Sequence, residues 1–257
     1  MNVCGTVQTV EDILRAVAPF ETAEDFDNVG LLIGRRDRAV HKVLVALDAT
    51  LDVVEEAKAL GAELIVSHHP LFFHARKNLV EEDCEARIVC EMVRREMALI
   101  SVHTNLDQTE LSGSASCARL LGLENLRQAG QYLFLGELKT PLIASTLKAH
   151  ATDALQFPVR LYGPDRMIAT LAIGGGAYDE GWEEARALGA QALLTGEVRH
   201  HNALAAAMND FVLLDGGHYG TEAPLVPFLA AYLQKRLDDV QCKIQVYPST
   251  CVPFGRV

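Results

Sequence analysis

Short apolar runs alternate along this chain with stretches in which apolar positions recur at helical spacing, and part of that pattern occurs twice. KVLVALDAT (42–50) and MIATLAIGG (167–175) are each long enough for one buried strand. Downstream, EEAKALGAELIV (55–66) lies over EEARALGAQALL (183–194) at an offset of 128, with seven of the first eight positions identical. Each copy reads as the end of an amphipathic helix, a Leu-Gly stop at Gly61 or Gly189, and a buried strand, because glycine accepts the left-handed backbone that closes a helix. Strand, helix, strand is the unit of a parallel sheet.

MALISV (97–102) and FVLLDGG (211–217) predict one more strand in each half, and after them the copies meet again. SVHTNLD (101–107) lies over GGHYGTE (216–222) at an offset of 115, which pairs His103 with His218 and Asp107 with Glu222. The change of offset gives the first copy thirteen more residues before its HxxxD. The expected fold class is α/β, as two similar α/β lobes related by an internal repeat. Residues 1–125 carry HHP and HTNLD, and residues 126–257 carry GEVRHH and GHYGTE.

With 257 residues, 49% of them hydrophobic, the chain can bury a substantial core. Its net charge of -11 repels nucleic-acid backbones and anionic membranes, which argues against both as partners. No apolar stretch approaches the roughly 18 residues that span a bilayer, and Glu11, Asp12 and Arg15 interrupt any signal peptide, so a cytoplasmic location is expected. Cys4, Cys84, Cys90, Cys117, Cys242 and Cys251 show no CxxC spacing and are expected to be free thiols that bind no metal.

In an α/β sheet, ligands bind beyond the carboxyl ends of the strands. His68 and His69 follow ELIVS, His103 and Asp107 follow MALISV, and His218 and Glu222 follow FVLLDGG. Imidazoles with carboxylates suit Zn, Fe, Mn, Co or Ni better than Ca or Mg. Adjacent histidines at a strand end splay over two directions, which suits two ions. Carboxylates bridge such pairs in metal-assisted hydrolysis, making Asp107 and Glu222 the candidate bridges. His68, His69 and His218 are then terminal ligands, and His103 either a ligand or a group that orients one. A plainer role for Asp107 is the N-cap of the helix leading into SASCARLLGL. IGGGA (173–177) lacks the spacing of a phosphate loop and reads as a tight turn. In GEVRHH (196–201) the HHP pair is lost, leaving Glu197, His200 and His201 to line the cleft.

FDNVGLLIG (26–34), IVSHHPLFF (65–73), SVHTNLD, LLTGEVRHHNALAA (193–206) and GGHYGTE occur in the order found in the NIF3-like proteins, also called GTP cyclohydrolase 1 type 2 homologs, which the chain resembles from about residue 8 onward. The resemblance implies a dinuclear metal centre on His68, His69, Asp107, His218 and Glu222, and a homohexamer of two-lobed α/β subunits. Phe26 stands where the family usually has Trp. The expected function is metal-dependent hydrolysis of a small nucleotide-like or phosphoester substrate, with two divalent transition-metal ions per subunit. The rivals are storage, delivery or insertion of metal without turnover, and an interaction protein that binds none. Catalytic residues beyond the ligands are not assigned.

Overall fold

The computed structural model describes residues 5–254. The chain opens with α1 (Val7–Val17), β1 (Gly30–Ile33), β2 (Lys42–Ala46), α2 (Leu51–Leu60), β3 (Leu64–Ser67), α3 (Cys84–Arg94), β4 (Ala98–Ser101) and the single turn α4 (Thr104–Asp107). After α5 (Gly113–Leu120), β5 (Glu124–Gln128) and β6 (Phe134–Ile143) the same order returns. It runs α6 (Ala144–Leu155), β7 (Arg160–Tyr162), β8 (Met167–Ile173), α7 (Trp182–Ala187), β9 (Ala192–Thr195), α8 (His200–Met208), β10 (Val212–Asp215) and α9 (His218–Glu222). Helix α10 (Leu225–Asp239) and β11 (Gln245–Pro248) close the chain.

The repeat survives in the sheets. The first has order β1-β4-β3-β2-β11, with β2, β3 and β4 mutually parallel and β1 antiparallel to β4. The second has order β5-β6-β8-β9-β10-β7, with β8, β9 and β10 parallel and β7 antiparallel to β10. The shared helix stop is as the sequence required, for Gly61 closes α2 at φ 73° and Gly189 follows α7 at φ 91°. The copies differ beyond the first parallel strand. There β11 joins β2 in parallel, whereas β6 joins β8 antiparallel.

That difference moves the expected boundary. The compact units are residues up to Thr109 with Val226 onward, and Glu110–Leu225, rather than a division near residue 125 with everything beyond it in one lobe. The repeat ends at Glu222, so it carried no information about the tail, whose β11 covers an edge of the first sheet that would otherwise be open. Residues 110–125 go to the second unit because Cys117, Ala118, Leu121 and Leu123 pack in its core with Leu147, Ile168 and Leu194.

Strands β3, β4, β9 and β10 are buried throughout. Leu64, Ile65 and Val66 of β3 are fully buried, at about 1.5–3 kcal/mol of burial apiece as an upper estimate. Their strand is therefore a stiff mount for whatever follows it. Cys242 is disulfide-bonded, contrary to the expected free thiol. Among the described residues Cys84, Cys90, Cys117 and Cys251 are free, and Cys4 lies outside them. No helix among the described residues is long and apolar enough to cross a membrane.

Candidate metal centre

In the first unit the backbone carries the strand ladder past β3 before the chain turns at Pro70. His68 N donates to Ala46 O, His69 N to Leu47 O and Val102 N to Ser67 O, at 2.9–3.1 Å. Both histidines are thus fixed at the carboxyl end of the sheet, and His103 follows the neighbouring strand as the residue that opens α4. The three imidazoles converge, with ring centroids 5.0–5.5 Å apart. Each can offer one ring nitrogen such that all three lie within 4.8 Å of one another. Both members of the adjacent pair contribute to this cluster, each ring anchored on a different partner.

Asp107 joins the cluster by helical geometry. One turn of α4 separates it from His103, and its Oδ1 lies 3.5 Å from His68 Nε2. It is not a helix cap, since Ser112 caps α5 by accepting from Ala115 N.

The anchoring of each ring decides its chemistry. His68 Nδ1 donates to Val102 O at 2.8 Å, His69 Nδ1 to Asp48 Oδ1 at 2.7 Å, and His103 Nδ1 to both oxygens of Asp27 at 3.0 Å. A carbonyl or carboxylate oxygen can only accept, so Nδ1 carries the proton and a neutral ring presents its lone pair on Nε2. A carboxylate behind the distal nitrogen is the usual support of a metal-binding histidine.

Asp27 is itself fully enclosed, and Thr104 donates to it through both its backbone N and its hydroxyl. Burial alone would push its carboxyl up, but the hydrogen bonds from His103 and Thr104 outweigh that and hold it well below the ordinary carboxylate range. It remains an anion behind His103.

The second unit repeats the device with other residues. His218 opens α9 and its Nδ1 donates to Glu197 Oε1 at 2.9 Å. One turn on, Glu222 places Oε2 3.0 Å from His218 Nε2. A lone pair and a carboxylate so close require a positive charge between them, either a proton on the ring or a metal ion.

The glycines of IGGGA serve this pair. Gly174 N, Gly175 N and Gly176 N donate to Leu194 O, Ser114 Oγ and Thr221 Oγ1, so these amides are engaged within the protein and form no phosphate cradle. At Gly176, whose φ is +65°, a Cβ would stand 2.2 Å from Glu222 Oε1, and at Gly196 one would stand 2.6 Å from His218 N. Bare backbone is what lets α9 seat its histidine and carboxylate here.

Of the expected site residues, His68, His69, His103 and Asp107 gather in the first unit, and His218, Glu222 and Glu197 in the second. His201 does not join them; it is exposed in the first turn of α8, as is His200. Asp27 and Asp48 escaped the sequence reading. Asp48 stands two residues beyond the end of β2, the carboxyl-end position that singled out the histidines, so the same rule reaches it. Among the described residues no cysteine belongs to a group able to hold a metal.

The family model described as Duf34/NIF3 (NGG1p interacting factor 3) matches residues 5–253. The chain belongs to the Duf34/NIF3 family. It is 33% identical over 257 residues to a protein of Streptomyces coelicolor named GTP cyclohydrolase 1 type 2 homolog, covering 93% of this chain and 89% of that one. A relative of the same name in Clostridium perfringens is 29% identical over 240 residues, covering 88% and 90%. Among solved structures, the Staphylococcus aureus hypothetical protein SA1388 superposes with a TM-score of 0.92 at 28% identity, covering 98% of this chain and 99% of that one. Reduced HcgD from Methanocaldococcus jannaschii shares the NIF3 fold at a TM-score of 0.77 and 21% identity, covering 96% and 98%.

Proposed function

We propose that this NIF3-family protein is a dinuclear, divalent-metal-dependent hydrolase of a small phosphoester or nucleotide-like substrate, with His68, His69, Asp107, His218 and Glu222 as ligands. The observation that carries the metal reading is the uniform anchoring of four imidazoles through Nδ1, which turns every Nε2 outward as a donor. Nitrogen donors with carboxylates fit Zn, Fe, Mn, Co or Ni. When bound, a pair of such ions supplies Lewis-acid activation of water and of a substrate oxygen.

The protein's own residues set the stage for that chemistry. Val102 O, Asp48, Asp27 and Glu197 hold the rings in one tautomer, so no reorganisation is needed when a cation arrives. Asp107 and Glu222 add negative charge beside a ring nitrogen in each unit, and the low exposure of His68 and Glu222 keeps that charge from being screened by water.

The test is metal analysis of dialysed, reconstituted protein, followed by incubation with a panel of nucleotides and phosphoesters. About two ions per chain with turnover of at least one phosphoester is expected. Two ions without turnover under any metal would replace the hydrolase with a metal carrier, and less than one ion would end both. The reading includes self-association, as a homohexamer, and a cytoplasmic setting; light scattering of the purified protein checks the first and fractionation of cells the second.

A further inference from the structure

Between α1 and β1 the chain passes through residues 18–28 with a single 3-10 turn, Phe20–Thr22, as its only regular structure. Three backbone bonds lie within this segment: Thr22 N, Ala23 N and Asp27 N donate to Pro19 O, Phe20 O and Glu24 O. Each closes only a local turn. A segment with so little hydrogen bonding of its own keeps its place through what it is tied to.

The ties come from α4 and the residues on either side of it. Asn105 Nδ2 donates to Ala18 O and Gln108 Nε2 to Thr22 O, both at 2.8 Å. Thr104 Oγ1 accepts from Glu24 N at 3.0 Å, and both Thr104 N and its hydroxyl donate to Asp27 Oδ2. His103 Nδ1 completes the set on the two oxygens of Asp27. At the far end Asn28 Nδ2 donates to Phe72 O at 2.8 Å, which joins the segment to the loop after HHP. The short stretch that supplies His103 and Asp107 therefore also holds this segment along its length. An ion pair between Arg15 and Glu21 secures its start to α1 independently, so residues 24–28 depend most on α4.

Asp27 is the joint between the two. Its carboxylate is fully enclosed, Thr104 is 8% exposed and Asn105 is fully buried, so water does not replace these bonds when one is lost. On the other side of the same imidazole, His103 offers Nε2 within 4.8 Å of the donor nitrogens of His68 and His69. A cation in that cluster draws electron density from the ring and makes Nδ1–H a stronger donor to the Asp27 anion.

We infer that Asp27 is a positioning residue that couples metal occupancy of the His68, His69 and His103 cluster to the placement of residues 24–28. The inference rests on the metal part of the proposed function and not on turnover. A carboxylate support of this kind is worth about 10- to 100-fold in metal affinity. Coupling between two equilibria is reciprocal, so metal suppresses opening of the segment by the same factor. Asp25, Phe26 and Asn28 line a cleft of about 710 Å³ with Phe72, Phe73 and His74, so the state of the cluster reaches the surface as the set of one wall.

Hydrogen exchange of the intact protein, loaded with zinc or stripped by chelator and read by mass spectrometry, tests this. Peptides covering residues 24–28 should exchange about ten-fold or more slowly when zinc is bound. A peptide carrying Thr250, whose amide donates to Glu56 Oε1 at 2.9 Å, should exchange equally in both states. Asp27→Asn keeps the shape and removes the charge, and should abolish most of the zinc-dependent difference. Thr104→Val, which cuts the Glu24 tie and leaves the His103 to Asp27 bond, should speed exchange in both states yet keep the difference between them. Zinc bound by elemental analysis with equal exchange at 24–28, or a difference in Asp27→Asn as large as the parent's, would overturn the inference and leave the metal reading standing. Failure of zinc to bind would overturn both. A ten-fold difference in protein that turns over no phosphoester would sustain the inference and remove the hydrolase alone.

Discussion

Asp48 offers the sharpest probe of the metal reading, because it touches no ligand position except through His69. Its Oδ1 accepts from His69 Nδ1 at 2.7 Å, a short charge-assisted bond, and Asp48 stands two residues past the end of β2 on a rigid strand. Asp48→Asn keeps an oxygen that can accept the same proton but removes the charge; Asp48→Ala removes both. Losing such a support typically costs about 10- to 100-fold in metal affinity, or about 1.4–2.7 kcal/mol. The asparagine variant should sit near the low end and the alanine variant near the high end, since only alanine frees the ring to turn. Competition with a chromophoric chelator would give both affinities, with circular dichroism to confirm the fold. Asp48 is 35% exposed, so neither change should unfold the protein. Metal affinity equal to the parent in both variants would refute the argument that Nδ1 anchoring identifies His69 as a ligand.

Other outcomes follow from the same geometry. Glu222→Gln should lower bound metal from about two ions to about one or none, as measured by elemental analysis, whereas Glu197→Gln keeps an acceptor for His218 Nδ1 and should stay near two. Gly176→Ala places a Cβ where Glu222 Oε1 now lies, at a left-handed φ of +65°; it should cost about 1–2 kcal/mol in denaturant unfolding and weaken metal binding as well. The acid limb of stability should depend on Asp179, which is 2% exposed and accepts from Arg199 and Asn202. Its burial alone would raise its pKa, but those bonds lower it. Its stabilisation is therefore complete above the unfolded value near 3.9 and fades as pH falls through the depressed folded value. Asp179→Asn should flatten the fall in urea midpoint below about pH 4, and an unchanged acid limb would contradict this.

What the sequence made legible was whatever repeats or sits at a strand end. The βαβ units were readable because apolar blocks and the Leu-Gly stops at Gly61 and Gly189 encode local structure directly. His68, His69 and Asp107 in the first unit, and His218 and Glu222 in the second, stood out as candidates because each follows the carboxyl end of a buried strand. The C-terminal strand was not, because β11 pairs with a strand some 200 residues earlier and nothing local announces a partner so distant. Cys242 was misjudged for a related reason: a disulfide is a fact about space, and single cysteines without close spacing do not reveal it.

The divergence of the two copies is itself informative. After β3 the first copy places His68 and His69, and after β9 the second places Gly196 and Glu197. The second copy has not simply lost a histidine pair. Gly196 has no side chain because a Cβ there would collide with the backbone of Gly217 and His218, and Glu197, held at φ 54°, accepts the proton of His218 Nδ1. A left-handed backbone at a residue other than glycine is costly and persists where the surroundings impose it. In the first copy the corresponding support for His103 comes from Asp27, on a segment outside the repeated strand-helix-strand unit. One ancestral-looking frame thus supports its HxxxD or HxxxE histidine by two different routes, a remote loop in one copy and the former HHP position in the other. The feature common to both copies is a carboxylate on Nδ1, which is the usual support of a metal-binding histidine and leaves Nε2 of His103 and of His218 with its lone pair turned away from that support.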